Sequence, residues 1–203
     1  YSNMGVSIRY RELDEMSREF GAYLQHVAGL RKGDRIALML PNLLQYPVAL
    51  FGALRAGLVV VNVNPQYTPR ELEYQLNDSG ASVIVVLENF AHTLEQVIDR
   101  VPIKTVITTE VGDLFPPVKG LLTNVVVKHV KKMVPAWRLP GAIPFKAVLR
   151  RGREQTFHNV ALGHDDIAFL QYTGGTTGVA KGTVLTHGNL VANMQQLSAW
   201  ISR

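Results

Sequence analysis

Apolar and polar positions along the chain follow two periods. Leu13, Met16, Phe20, Leu24 and Val27 recur every three or four residues, so an amphipathic helix is predicted over residues 12–28. Residues 5–9 ahead of it suit an edge strand. After the turn Arg31-Lys32-Gly33-Asp34, residues 35–40 form a short apolar strand. Residues 43–56 are apolar nearly all round, the pattern of a buried helix, and Pro47 falls early enough in it to be tolerated. Residues 58–63 read as an unbroken apolar strand, as expected where helices cover both sheet faces. Thr68-Pro69-Arg70-Glu71 is a capping box: Thr68 caps, Pro69 takes the first helical position and Glu71 reaches back. That helix runs to Asp78 and stops at Gly80. A strand at 82–87, a helix at 91–99 ended before Pro102, and a strand at 104–109 follow. This alternation predicts an α/β fold, a doubly wound, mainly parallel sheet with helices on both faces.

The pattern then changes. Residues 110–120, with Pro116-Pro117, read as a loop, and residues 121–134 as a different kind of helix. Leu122, Val126, Val130 and Met133 share one face of it, and Lys128, Lys131 and Lys132 the other. Packing of the apolar face on the core is the commoner use of such a helix and is the expectation. Contact with an anionic membrane is the alternative. Residues 135–141 and Pro144 mark a loop, and 145–151 a short helix at best. Strands are predicted at 167–170 and 183–186, and a last helix from 188 to 203. The chain thus divides into an alternating part (1–110), a basic loop-and-helix part (111–160) and a closing hairpin with its helix (161–203).

Composition sharpens this. The chain has 203 residues, 47% of them hydrophobic, enough for one large domain or a piece of a bigger one. No uninterrupted apolar run reaches membrane-spanning length. There is no cysteine, which excludes disulfides, thiolate metal sites and a cysteine nucleophile and suits a reducing cytoplasm. The first residue is Tyr1 and no signal peptide is visible, so the natural N-terminus is expected to lie upstream. Net charge is +5, yet residues 118–153 hold nine Lys/Arg and no Asp/Glu. The basic character belongs to that segment and points to an anionic surface or ligand.

Between the strands at 167–170 and 183–186 lies the stretch richest in chemistry: Tyr172, Thr173, Gly174, Gly175, Thr176, Thr177, Gly178, Val179, Ala180, Lys181, Gly182 and Thr183. Glycines bring backbone N–H groups close to a ligand, threonines add hydroxyls and Lys181 a point charge, a mixture suited to polyphosphate. Lys181 sits between Ala180 and Gly182, so this is not the NTPase P-loop. The glycine spacing also fails the dinucleotide fingerprint. A strand rather than a helix follows, so anion binding must rest on amides, hydroxyls and Lys181 rather than on a helix dipole.

This stretch, followed by Leu185-Thr186-His187, resembles the phosphate-loop signature of the adenylate-forming superfamily of acyl-CoA synthetases, luciferases and peptide-synthetase adenylation domains. It is most similar to bacterial long-chain-fatty-acid–CoA ligases. Ala37-Leu38-Met39-Leu40-Pro41-Asn42, Tyr46-Pro47-Val48-Ala49-Leu50-Phe51-Gly52-Ala53 and Val61-Asn62-Val63-Asn64-Pro65, then Tyr67-Thr68-Pro69-Arg70-Glu71-Leu72, extend the likeness over nearly the whole chain. The resemblance implies part of the large N-terminal domain of a two-step ligase, without its C-terminal domain. Long-chain fatty acid, ATP and coenzyme A would be its substrates and magnesium (Mg2+) its cofactor. It implies that residues 172–183 hold the ATP phosphates, that Lys181 and Thr173 are catalytic, and that Thr173 lies beside the metal with a glutamate outside this chain. Thr183 and His187-Gly188-Asn189 depart from the family's usual residues but leave the loop untouched. Nothing matches the family's Tyr-Gly-x-Thr-Glu and Thr-Gly-Asp blocks, so residues 1–203 are expected to be inactive alone. A non-catalytic nucleotide- or membrane-binding module is the alternative. A cytoplasmic location, with membrane contact through 118–153 left open, is expected, a homodimer is left open too, and no nucleic-acid partner is expected.

Other candidates are weaker. His26, His92, His129, His158, His164 and His187 show no metal spacing. His187 is near the loop in sequence, but a cap or turn role at the start of the last helix is expected. Asp165-Asp166 lie at the far end of their strand and read as solvated turn residues rather than a magnesium pair. No serine sits in a nucleophile-elbow pattern.

Overall fold

The computed structural model describes residues 1–173 and 180–202. The chain opens with a two-stranded ribbon, β1 (Ser2–Asn3) and β2 (Val6–Ser7), separate from the main sheet. The edge strand expected at 5–9 is therefore only this ribbon. In α1 (Tyr10–His26) the Glu12 carboxylate accepts the Arg9 N–H at 2.6 Å and closes the first turn. Then β3 (Arg35–Met39), α2 (Gln45–Arg55), β4 (Val59–Asn62), α3 (Pro69–Ser79) and β5 (Val83–Leu87) alternate as expected. The capping box forms at α3: the Glu71 carboxylate accepts the Thr68 N–H at 2.8 Å, and Gly80 ends the helix at φ 63°. α4 (Glu88–Glu95) starts earlier than its apolar spacing suggests, because β5 runs into it without a loop. Its expected last turn is instead a 3-10 turn (Ile98–Arg100), and β6 (Thr105–Thr109) follows.

Later in the chain come α5 (Pro117–Val125), a π-helical turn (Val126–Val130), β7 (Ile143–Pro144), α6 (Phe145–Arg153), β8 (Ile167–Thr173), β9 (Lys181–Thr186) and α7 (His187–Ile201). Seven strands form one sheet in the order β7-β6-β5-β3-β4-β8-β9, parallel throughout except for β8 against β9. From β3 the chain steps one way to β4, then back across β3 to β5 and on to β6. Right-handed crossovers then put α2 on one face and α3 and α4 on the other. Two cores record this. α1, α2 and α6 cover Leu38, Val60, Val85 and Ile107, while the opposite face buries Ala37, Met39, Val61, Ile84 and Val86 under α3 and α4. Successive strand residues face opposite ways, so strands covered on both faces need apolar residues at nearly every position.

α6 is more than a short surface turn. It buries Phe145, Val148, Leu149 and Gly152 against α1, with Phe145 stacked 5.4 Å from Phe20 between ring centroids. At Gly152 the two helices touch so closely that an added Cβ would collide with the Glu19 carbonyl oxygen.

The segment before it departs from expectation twice. Residues 117–120 are helical rather than loop, with Pro117 at the first position. The apolar face of the helix is not packed on the core: Leu122, Val130 and Met133 are 63, 70 and 53% exposed, and Val126 is half-buried. α5 docks instead through a small, polar stripe. Buried Gly120 lies against Gly112, and Asn124 Oδ1 accepts the Gly112 N–H at 2.7 Å. The π turn, closed by Lys131 N–H onto Val126 O at 2.8 Å, then shifts the 3.6-residue register. Lys132, at φ 50°, breaks the helical path, so Met133 lies beyond the helix.

Gly152→Ala tests the α1–α6 contact. Alanine is favoured over glycine inside a helix by about 1 kcal/mol. Here, however, the new methyl meets backbone, and overpacking of this kind costs about 1–3 kcal/mol. A net loss of stability in urea unfolding is expected; a gain would show that the two helices are not held this closely.

Candidate functional site

β8 and β9 form the hairpin that carries the candidate residues. Both strands are longer than their apolar pattern: β8 continues three residues beyond Leu170 and β9 begins two before Thr183. Thr173 and Lys181 are direct cross-strand partners on the last described rung, and Gln171 and Thr183 are partners two residues back. Partners on an antiparallel pair share a face. Phe169 packs with the α1–α2 core, whereas Leu170, Tyr172 and Ala180 pack with the α3–α4 core. Alternation therefore places Gln171, Thr173, Lys181 and Thr183 together on the α2 side. Thr173 and Lys181 are exposed there. The expected loop residues Gly174, Gly175, Thr176, Thr177, Gly178 and Val179 lie outside the described residues.

Tyr172 faces the other way. It is buried, and its hydroxyl donates to the Asp78 carboxylate at the end of α3 at 2.5 Å. Burial, then the hydrogen bond and charge of Asp78, push its pKa up. Gly182 stands opposite Tyr172, and an added Cβ there would lie 3.0 Å from the ring. The Tyr172 side chain, Gly182 and Ala180 thus hold the hairpin onto α3. Their candidacy as phosphate ligands rests on main-chain atoms alone.

A half-buried polar chain runs beneath the rung. Asn62, at the end of β4, pairs with Gln171 in register. Its backbone oxygen accepts Gln75 Nε2–H at 2.8 Å, its Oδ1 accepts the Tyr46 hydroxyl at 3.0 Å, and its Nδ2 donates to Gln171 Oε1 at 3.0 Å. Tyr46, Asn62 and Gln171 were not singled out from the sequence, where residues 58–63 read as unbroken. The signal was there: Asn62 is the one polar residue in Leu-Val-Val-Val-Asn-Val, and Gln171 interrupts Phe169-Leu170 and Tyr172. The chain sits at the carboxyl ends of β4 and β8, one strand from β3, where the order of connection reverses. Open α/β sheets bind ligands at such a crevice.

The remaining candidates lie elsewhere. His187 starts α7 at the far end of β9 from Lys181, and its N–H donates to Asp166 O at 2.9 Å. The cap is not His187 but Thr186, whose Oγ1 accepts the Asn189 N–H at 3.2 Å. Asp166 is bound rather than simply solvated. It accepts Lys32 Nζ at 2.7 Å and the Gly163 N–H at 2.6 Å, and these hydrogen bonds, Lys32's foremost, lower its pKa. A cavity of about 440 Å³ opens under α5 beside Glu110, Phe115, Asn124, Lys128 and Lys146. It lies at the end of β6, four strands and about 19 Å from β8, and shares no residue with the hairpin. Among the described residues no group of three or more His, Asp or Glu could hold a metal. Thr173 could give magnesium one hydroxyl oxygen, which suits an ion that takes most of its oxygen shell from phosphates and water.

The family model for AMP-binding enzymes matches residues 1–203. The chain belongs to the AMP-binding enzyme family. It is 59% identical over 199 residues to the long-chain-fatty-acid–CoA ligase of Escherichia coli O157:H7, covering 98% of this chain and 36% of that protein. It is 56% identical to the corresponding ligase of Haemophilus influenzae, covering 100% of this chain and 36% of that protein. Among solved structures, a long-chain-fatty-acid–CoA ligase from Archaeoglobus fulgidus matches with a TM-score of 0.73 and 27% identity, over 98% of this chain and 34% of the other. The chain therefore spans about a third of the length of these AMP-binding relatives.

Tyr172→Phe separates anchoring from ligand binding. Losing the hydrogen bond to the Asp78 carboxylate should cost about 1.5–3 kcal/mol at neutral pH. A raised folded-state pKa means that the protonated phenol stabilises the fold. That contribution is complete below the unfolded value of about 10 and is lost as pH rises through the higher folded value. Urea unfolding from pH 8 upward should show the parent losing stability above pH 10 and the variant lacking that component. Equal alkaline slopes would contradict the anchoring.

Proposed function

We propose that this chain is part of an ATP-dependent long-chain-fatty-acid–CoA ligase and that its β8–β9 hairpin holds the phosphates of ATP. The carrying observation is the rung that sets Thr173 opposite Lys181, exposed on one face at the carboxyl end of the sheet. In the reaction a fatty-acid carboxylate attacks the α-phosphate, giving acyl-adenylate and pyrophosphate. The thiol of coenzyme A then displaces AMP to form the thioester. This chain's part belongs to the first step. Lys181 places a positive charge and Thr173 a hydroxyl beside the β- and γ-phosphates, with the glycine-rich residues 174–179 supplying N–H groups. Magnesium, when bound beside Thr173, would neutralise charge between phosphate oxygens. Phosphoryl chemistry depends mainly on positioning and charge stabilisation, which this set of residues supplies.

A second reading concerns α5 and the π turn. Val118, Leu121, Leu122 and Val130 are exposed on the same helical segment that ends in exposed Lys131 and Lys132, a combination suited to the anionic inner face of a membrane. Among the described residues no helix is long and apolar enough to cross a membrane, so such contact would be peripheral.

Two measurements on the full-length protein test these readings. Lys181→Ala should leave stability within about 0.5 kcal/mol, since Lys181 is exposed. It should slow adenylate formation about 100- to 1000-fold, the usual loss for one electrostatic donor in a preorganised site. Thiolation from preformed acyl-adenylate should suffer much less, because pyrophosphate has already left. Equal loss in both half-reactions would make the rung structural. For the membrane, each basic side chain near an anionic surface is worth about 1 kcal/mol, so removing Lys131 and Lys132 should weaken binding to phosphatidylserine vesicles about 30-fold. Lys128 is left in place because it pairs with Glu88 at 3.3 Å. Unchanged vesicle pelleting would remove the second reading.

A further inference from the structure

We propose that Gln171 contacts an anionic oxygen of the substrates directly, and that Asn62 and Tyr46 are its positioning residues. The inference rests on the reading of this face as the ligand side of the hairpin. Gln171 is half-buried, and its Oε1 is committed to Asn62 Nδ2. The Asn62 amide is itself oriented by the Tyr46 hydroxyl on its Oδ1, and β4 is tied to α3 through Gln75. With Oε1 on Asn62, the end of Gln171 that faces outward is the Nε2 amide, with two N–H donors. Among the described residues Nε2 has no hydrogen-bond partner. As a donor at a half-buried position beside two exposed polar groups, it is open to an acceptor supplied from outside. Thr173 lies two residues along the same face, about 7 Å away, with Lys181 across the rung from it. The surroundings thus favour an acceptor that carries negative charge. Two groups of that chemistry meet in adenylation: a phosphate oxygen of ATP and the carboxylate of the acyl substrate.

A structural role and a ligand-facing role rank two substitutions in opposite orders. Gln171→Glu keeps the acceptor that Asn62 needs but turns the outward donor into a negative charge. Gln171→Met keeps length and bulk and loses both amide atoms. If Gln171 only braces the sheet, the glutamate variant should be close to the parent and the methionine variant worse. If Gln171 faces an anion, the glutamate variant should be the worse. In the full-length enzyme we expect Gln171→Met to lower kcat/KM for adenylation about 10- to 100-fold, the worth of one hydrogen bond to a charged group. Gln171→Glu should fall further, and its deficit should shrink as pH is lowered and the carboxyl regains a proton to donate. A rise in KM for ATP identifies the phosphate as the acceptor; a rise in KM for fatty acid identifies the carboxylate. Tyr46→Phe should raise the same KM by a smaller factor with little change in melting temperature. The proposal is overturned if the glutamate variant outranks the methionine variant, or if neither KM moves in a folded variant. Lys181→Ala, run alongside, separates the two ideas. If it spares adenylation while the Gln171 order holds, the phosphate assignment of the rung fails and the Gln171 contact stands.

Discussion

A strand shows opposite faces at successive residues, and the site depends on that period of two. Tyr172 is drawn into the α3–α4 core by burial and by Asp78. Once Tyr172 is committed, Gln171 and Thr173 have no choice of side. Pairing carries the same constraint across to β9, where Gly182 leaves room for the Tyr172 ring and Lys181 and Thr183 take the face of Thr173 and Gln171. A slip of one residue in β9 would exchange the two sets, turning Lys181 toward the core and Gly182 outward. The tight contact of Gly182 with the Tyr172 ring opposes that slip. A residue whose side chain takes no part in the proposed chemistry thus sets the geometry of those that do.

The same logic extends inward. β8 pairs with β4 on one side and β9 on the other, so it is an interior strand whose position is set by the whole sheet. Asn62 is the polar residue that this arrangement tolerates at the end of β4, because all three of its hydrogen-bonding groups named above are met by Tyr46, Gln75 and Gln171. A half-met amide here would cost about 1–3 kcal/mol. The chain Tyr46–Asn62–Gln171 links α2, β4 and β8, and so couples the helix on one face to the strand that bears Thr173. Stability and site geometry share these bonds.

The alternating half of the fold was legible because it obeys one rule at a time. Capping at Thr68, the stop at Gly80 and the apolar runs of β3, β4 and β5 are local signals that tertiary structure reinforces. The candidates over residues 172–183 were nominated by composition, from glycine, hydroxyl and lysine together, and their phosphate role is a proposal. Two things were not legible. The reach of β8 and β9 into the glycine-rich stretch depends on pairing and on the Tyr172–Asp78 contact, neither of which leaves a periodic trace. Asn62 and Gln171 were visible as single polar interruptions, but only the register of β4 with β8 makes them a pair. The docking of α5 failed for a related reason: its contact runs through Gly120 and Asn124, residues that an apolar-face argument discounts.

The basic segment shows how a charge count divides once structure is known. Its excess in sequence points outward, to an anionic partner. Yet Lys128 pairs with Glu88, Lys146 with Asp113 and Arg153 with Glu19, each an acid that precedes the basic stretch in the chain. These contacts dock the segment onto the sheet and α1, so part of the positive charge is answered within the molecule. Asp113 is itself buried, where an unpaired carboxylate would be costly, and Lys146 and the Thr109 hydroxyl meet it there. Among the described residues Lys119, Lys131, Lys132, Arg138, Arg150 and Arg151 make no ion pair with an acid, and of these Lys131 and Lys132 directly follow the exposed Val130. The net charge of the segment therefore overstates what a partner would meet, because three of its nine cations are already answered from within the molecule.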